Sequence, residues 1–201
     1  MTIGVLALQG DFSAHETILS GLGVASQLVR DSPTLAACDG LIIPGGESTT
    51  MSRLCDRYDL WRPLRESLAS QMPMFGTCAG LIMLSASIES EGAAQTFEQS
   101  TLGGLDITVA RNAYGRQVDS FEADLEVPSL REHSLEASPL RAVFIRAPRI
   151  VRVGEETEVL STHNGEAVAV RRGNCMGAAF HPEIAGDNRL HHLWLRFANL
   201  I

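Results

Sequence analysis

The sequence predicts an α/β fold: a doubly wound, mostly parallel sheet carrying a nucleophile elbow. Three observations lead there. Short apolar runs alternate with segments of helical spacing, the pattern from which right-handed crossovers build a parallel sheet. Two of the runs, Gly40-Leu-Ile-Ile-Pro44 and Met72-Pro-Met-Phe75, are apolar throughout, as strands buried on both faces are. Each opens into a glycine-rich turn. The second turn, Gly76-Thr-Cys-Ala-Gly80, is the G-x-nucleophile-x-G pattern with cysteine as its central residue.

Taken in order, Ile3 to Leu8 reads as the first strand, closed by Gln9-Gly-Asp11. Asp11 or Ser13 can cap a helix through His15, Ile18, Leu19 and Leu22, whose apolar positions recur at helical spacing, and Gly21 and Gly23 end it. A second strand, Val24 to Arg30, leads to a loop with Pro33 and then to the apolar strand ending at Pro44. Its turn, Pro44-Gly-Gly-Glu-Ser-Thr-Thr50, lets the backbone approach a ligand closely, and Ser48 or Thr49 can cap the next helix. Such a turn can also hold a phosphate, but it has neither the Gly-Lys-Ser/Thr ending of a P-loop nor a dinucleotide fingerprint. Leu60 to Ser70 reads as the helix before the elbow strand, and residues 89–104 as a polar excursion. Leu105 to Ala110 and Val118 to Leu125 alternate like half-exposed strands, with Arg111-Asn-Ala-Tyr-Gly-Arg-Gln117 between them. Residues 126–139 read as a surface loop, Ala142 to Ala147 as a strand stopped by Pro148, and Ile150 to Val170 as a hairpin turning at Asn164-Gly165. A last apolar strand, Met176 to Phe180, runs into His181-Pro-Glu183, and an amphipathic helix, Arg189 to Leu200, follows.

Composition narrows the function classes. At 201 residues the chain can bury a full core as one domain over 1–201. A formal charge of −8 lacks the basic footprint of a nucleic-acid binder. No stretch approaches the roughly 20 apolar residues of a membrane span, and the N-terminus has no basic-then-apolar leader. Cys38, Cys55, Cys78 and Cys175 are irregularly spaced, with no C-x-x-C pair, so neither zinc nor a disulfide framework is expected. A cytoplasmic enzyme without a metal fits these features.

The elbow supplies the chemistry. A strand turning sharply into a helix strains its apical residue, and side chains two positions to either side would collide. The turn holds the Cys78 thiol above the sheet edge, leaves the Ala79 N–H for an oxyanion, and places the thiolate at a helix N-terminus. A buried cysteine in a glycine-rich turn would give the same five residues. A working thiol needs a base, and a carboxylate to orient that base. Of six histidines, His181 ends an apolar strand, with Glu183 two residues on across a proline. A solvated His-Pro turn is the plainer alternative. His15 reads as a packed or exposed helix residue, and His133 and His163 as surface residues. His191 and His192 lack the i, i+4 spacing of a metal pair.

These motifs together resemble the class I (triad) glutamine amidotransferases, and among them the family of glutaminase subunits of pyridoxal 5′-phosphate synthase. Carrying the resemblance are Leu8-Gln-Gly10, Pro44-Gly-Gly-Glu-Ser-Thr-Thr-Met51, Phe75 to Gly80, the block from Arg111 to Phe121, Phe144-Ile-Arg-Ala-Pro148, and His181-Pro-Glu183. The blocks span nearly the whole chain in order. The resemblance implies a three-layer, flavodoxin-like fold forming a single glutaminase domain. It implies that Cys78 attacks the side-chain amide of L-glutamine to give a γ-glutamyl thioester, with His181 oriented by Glu183 moving the protons. The N–H groups of Gly46 and Ala79 would form the oxyanion hole, worth on the order of 3 kcal/mol per donor. Gly46, Glu47, Ser48, Arg111, Ile145 and Arg146 would hold the glutamine, arginine suiting the α-carboxylate through its two-pronged fork. Gln9 and Gly10 would form an activation switch. The same resemblance implies no cofactor, and as partner a (β/α)₈ synthase subunit that receives the ammonia in a hetero-oligomer with twelve copies of each subunit. The charged segment between Phe121 and Phe144 is longer than that family leads one to expect, which bears on the docking edge. Another triad amidohydrolase or a non-catalytic cysteine-elbow protein are the competing readings; the arginine and Phe-Ile-Arg-Ala-Pro blocks oppose the first and the His-x-Glu tail the second.

Overall fold

A computed structural model of the protein describes residues 1–89, 99–111 and 120–201. The first half alternates as the apolar runs require: β1 (Thr2–Leu6), α1 (Phe12–Gly21), β2 (Ala25–Val29), α2 (Ser32–Ala36), β3 (Gly40–Ile43), α3 (Ser48–Arg57), α4 (Trp61–Ala69), β4 (Met74–Thr77) and α5 (Ala79–Leu84). Then come β5 (Ser85–Ile88), β6 (Leu105–Ala110), β7 (Phe121–Leu125), α6 (Pro128–Glu132), β8 (Leu140–Phe144), β9 (Arg149–Val153), β10 (Glu158–His163) and β11 (Glu166–Arg172). The chain closes with β12 (Cys175–Ala178), α7 (Pro182–Ala185) and α8 (Arg189–Phe197).

The main sheet has seven strands in the order β10-β11-β12-β4-β3-β1-β2. From β12 to β2 all neighbours are parallel; β10 and β11 continue the sheet antiparallel at one edge. The chain runs from β1 outward to β2, then back past β1 to β3. Right-handed crossovers therefore put α1 on one face and α2 to α4 on the other, giving three layers with the strand order reversing between β1 and β3. Ligand crevices in such sheets open at the carboxyl ends of the strands flanking that reversal. Here those ends lead into Gln9-Gly10 after β1, Gly45-Gly46-Glu47 after β3, and the elbow after β4.

Every residue of β3, β4 and β12 is buried, consistent with strands covered on both faces. α8 closes the core with Leu190, Leu193, Trp194 and Leu195, and the Trp194 ring lies 5.9 Å from that of Phe75 on β4. At the antiparallel edge, Asn164 and Gly165 take φ of 51° and 81°, the two left-handed positions of a tight hairpin between β10 and β11.

Local structure departs from the sequence reading in a few places. Asp11 caps α1 by accepting from the Ala14 N–H (3.2 Å), and Ser13 lies inside the helix. Glu47, not Ser48 or Thr49, caps α3: its carboxylate accepts from the N–H groups of Thr49 (3.2 Å) and Thr50 (2.6 Å). The Pro33 loop forms α2, with Asp31 as cap and the proline in the first turn, where its missing N–H is harmless. The surface loop over 126–139 contains α6, because Val127 and Leu130 bury apolar side chains and Arg189 holds the carbonyls of Glu136, Ser138 and Pro139. The helix after the elbow lasts six residues before the chain turns into β5, the Ser85 hydroxyl bonding back to the Ile82 carbonyl (2.8 Å). β5, β6 and β9 form a separate sheet, as do β7 and β8. Val118 and the Arg111 block beyond its first residue lie outside the described residues. All four cysteines are free and buried. Among the described residues no helix is long and apolar enough to cross a membrane, and no cluster of side chains could hold a metal.

Trp194 is fully buried. Trp194→Ala should destabilise the protein by about 3–5 kcal/mol, measured as a lower denaturant midpoint, through lost apolar burial and the cavity left behind.

Candidate active site

The elbow is strained where the sequence puts the nucleophile. Cys78 has φ 49° and ψ −101°, a conformation that costs a non-glycine residue on the order of 1–3 kcal/mol. Packing on both sides imposes it. The Cys78 N–H donates to Ala178 O on β12 (2.8 Å). A Cβ on Gly80 would overlap the Ile43 carbonyl oxygen at the end of β3, and one on Gly76 would overlap the Gly80 backbone. The two flanking glycines are thus required by contact as well as by turning. Ala79 heads α5, so its N–H belongs to the first turn, which a helix cannot satisfy internally.

His181 stands at the end of β12, its N–H bonded to Val143 O on β8 (2.9 Å). Pro182 opens α7 and turns the chain so that Glu183 Oε1 comes 2.7 Å from His181 Nδ1. Nε2 is left for the thiol. Gly45 holds the imidazole from the other side, since a Cβ there would collide with Cε1 of the ring. Burial alone would lower the His181 pKa, but hydrogen bonding to Cys78 and Glu183, with their charges, outweighs it and raises the group from 6.5 to about 10. The imidazolium form of His181 is favoured beside Cys78. Cys78 Sγ also lies 4.0 Å from the Ile145 carbonyl.

A cavity of about 450 Å³ opens onto His181, with Gly46, Ser48, Arg111, Ile145 and Arg146 in its wall. Gly10 and Glu47 complete the rim near the β1 end. Gln9 is placed one step behind: its side-chain oxygen accepts from the Glu47 N–H (2.6 Å) and braces the turn that carries Gly46. The Glu47 carboxylate is committed to capping α3, which leaves its backbone facing the cavity. Arg146 takes φ 47°, a left-handed turn that follows β8 directly.

Some site residues were not legible in the sequence. The Gln99 side-chain oxygen, Oε1, accepts from both the Ser48 hydroxyl (3.2 Å) and Arg111 (3.0 Å), showing that these two donors converge on a single acceptor position. Gln99 sits in a polar stretch without periodicity, which gives no signal. Thr77, the variable residue of the elbow, places its hydroxyl 3.5 Å from Glu183 Oε1 and 3.3 Å from His15 Nε2. His15 and His191 are both fully buried behind the site. His133 and His163, expected at the surface, are half-buried against aromatic rings, His133 edge-on to Phe197 (4.8 Å) and His163 stacked on Phe121 (5.3 Å).

Comparison with known proteins bears on this geometry. Residues 5–199 match the SNO glutamine amidotransferase family. A Nocardioides protein described as pyridoxal 5′-phosphate synthase subunit PdxT is 52% identical over 199 residues, covering 96% of this chain and 94% of that protein. The Herpetosiphon aurantiacus protein of the same description is 53% identical over 196 residues, covering 97% and 99% respectively. A crystal structure of a glutamine amidotransferase superposes with a TM-score of 0.87 at 42% identity, over 98% of both chains. The PurLQS structure from Thermotoga maritima, at 15% identity and a TM-score of 0.69 over 98% of this chain and 97% of its own, shares the fold.

The raised His181 pKa has a consequence for stability. At pH values below 6.5, folded and unfolded chains both hold this proton and the contribution is complete; between 6.5 and about 10 the folded chain alone holds it, so stability falls as pH rises through that window. NMR titration of His181 should give a midpoint above the ordinary histidine value, and Glu183→Gln should move it down.

Proposed function

The chain belongs to the SNO glutamine amidotransferase family, and we propose on that footing that it is the glutaminase subunit of a pyridoxal 5′-phosphate synthase. It hydrolyses L-glutamine to L-glutamate and passes the ammonia to a synthase subunit. The observation that carries the reading is the strained Cys78 on its elbow beside a His181–Glu183 pair joined at 2.7 Å, with His181 lining a cavity walled by two arginines.

In the proposed reaction the Cys78 thiolate attacks the side-chain carbonyl carbon of glutamine. The oxyanion that forms is met by the N–H groups of Ala79 and Gly46. His181, cationic at that point, protonates the departing amine, ammonia leaves, and a γ-glutamyl thioester remains on Cys78. His181, now neutral, takes a proton from water; hydroxide adds to the thioester carbonyl and the thiolate is expelled with glutamate. Glu183 keeps the imidazole in the tautomer this requires. Glutamine is held by Arg111 and Ser48, the donors that share one acceptor in this structure, with Arg146, Ile145 and the backbone of Glu47 completing the grip.

Gln9 and Gly10 are the proposed switch. The supporting observation is that Gln9 anchors the Gly46-Glu47 turn, so a partner that moves Gln9 moves half of the oxyanion hole. A single cytoplasmic domain over 1–201, without cofactor, assembling as twelve copies with twelve synthase subunits, is part of the same proposal.

The test is glutaminase activity with and without a synthase subunit. Activity is expected to rise when the synthase is added and to vanish in Cys78→Ala; folded protein whose activity ignores the synthase would favour an independent amidohydrolase. Gln9→Ala should lower the stimulated rate on the order of tenfold, the value of one lost hydrogen bond of about 1.4 kcal/mol, without loss of fold. Unchanged stimulation would remove Gln9 from the switch.

A further inference from the structure

We propose that His15 is a positioning residue for the catalytic carboxylate: the buried His191–His15 pair presents a neutral N–H, directly and through the Thr77 hydroxyl, to the same Glu183 oxygen that holds His181. The inference rests on the Cys78-His181-Glu183 reading given above. The direct approach is electrostatic, and the hydrogen-bonded route runs through Thr77.

Four elements meet behind the triad. His15 comes from α1, His191 from α8, Thr77 from the end of β4 and Glu183 from α7, and all four side chains are buried. His15 Nδ1 and His191 Nε2 are 2.8 Å apart, a hydrogen bond between residues 176 positions apart in sequence. His15 Nε2 is 3.3 Å from Thr77 Oγ1 and 3.6 Å from Glu183 Oε1; Thr77 Oγ1 is 3.5 Å from that same oxygen. The other oxygen, Oε2, is buried and has no partner among the described residues.

The hydrogen-bond inventory selects one arrangement of protons. Burial lowers the pKa of both His15 and His191, so each is neutral and carries one N–H. If His15 donated from Nδ1 to His191, its Nε2 lone pair would face the carboxylate, and His191 would carry its hydrogen on Nδ1, which is buried and has no partner. The opposite arrangement has neither fault. His191 Nε2–H donates to His15 Nδ1, leaving Nδ1 of His191 as a bare acceptor, the lesser cost. His15 Nε2–H then points at Thr77 and Glu183, and the Thr77 hydroxyl donates onward. Every donor in the chain is directed at the carboxylate.

Glu183 needs this. Among the described residues its ion-pair partners are His15 and His181, with no arginine beside it. The other titratable or charged groups around the cluster are Asp11 at the head of α1, whose charge acts on His15, Cys78 beyond His181, and Asp187 with Arg189 after α7, which pair with each other (2.6 Å). A deeply buried carboxylate served by one imidazolium is poorly held; neutral donors on the far side stabilise its charge without competing for the proton.

The test is the pH profile of kcat/KM for the enzyme with its synthase subunit. His15→Leu removes the donor, so the triad carboxylate is less well held and the acidic limb should shift to higher pH by on the order of one unit, with kcat reduced and KM unchanged. His15→Gln, whose amide reaches the place of Nε2, should return the limb towards wild type. A folded His15→Leu protein with the wild-type limb would overturn the proposal, and so would a loss of activity that His15→Gln does not rescue. If His15→Leu does not fold, Thr77→Val reads the same limb: an upward shift supports the relay and an unmoved limb overturns it. The triad reading fails separately, through Cys78→Ala retaining activity.

Discussion

The conformation of Cys78 is a constraint on which everything around it depends. A cysteine at φ 49° relaxes unless its neighbours forbid it, and three strands do so here. β3 ends against Gly80, β4 enters through Gly76, and β12 takes the Cys78 N–H. Because the chain leaves β12 towards His181, the pairing that strains Cys78 also brings His181 beside it. The parallel pairing of β4 and β12 therefore sets the geometry of the proposed catalytic pair. An all-parallel centre with the order reversal between β1 and β3 adds the two remaining turns, after β1 and after β3, at the same edge.

Electrostatics then follow from burial. The imidazole of His181 would lose its proton if desolvation acted alone. Interactions with Cys78 and Glu183 reverse that, and they do so strongly because the site is shielded from water. The arrangement resolves the usual difficulty of a cysteine nucleophile, which must be ionised beside a base that must later give up a proton. The far side of Glu183 is met by Thr77 and His15, with His191 behind His15, where an ordinary core would be apolar. Burying imidazoles costs free energy, and the proposed relay to one carboxylate oxygen accounts for their presence.

What could be read from sequence was what depends on short range. The elbow glycines, a cap at Asp11 or Ser13 and the Asn164-Gly165 hairpin each declare themselves within a few residues, because backbone sterics there are local. The α/β class followed from alternating apolar runs. Capping by Glu47 in place of Ser48 was missed by one position, since the turn at Gly46 sets where the helix begins and no local rule gives that register. α6 was missed because its two anchors, Val127 and Leu130, are sparse among charged residues and depend on Arg189 far along the chain. His15 and His191 look like unremarkable helix positions; their meeting depends on two helices separated by almost the whole sequence. Gln99 has no periodicity to betray it, and its role appears only when Ser48 and Arg111 are seen converging.

The central claim is that the elbow makes one of four buried cysteines a nucleophile towards glutamine. The most direct measurement treats the enzyme with an electrophilic diazoketone analogue of glutamine and maps the modified residue by peptide mass spectrometry. Stoichiometric label on Cys78, absent when glutamine is in excess, is the predicted result. Label spread over Cys38, Cys55 and Cys175, or label on Cys78 that glutamine does not prevent, would contradict it.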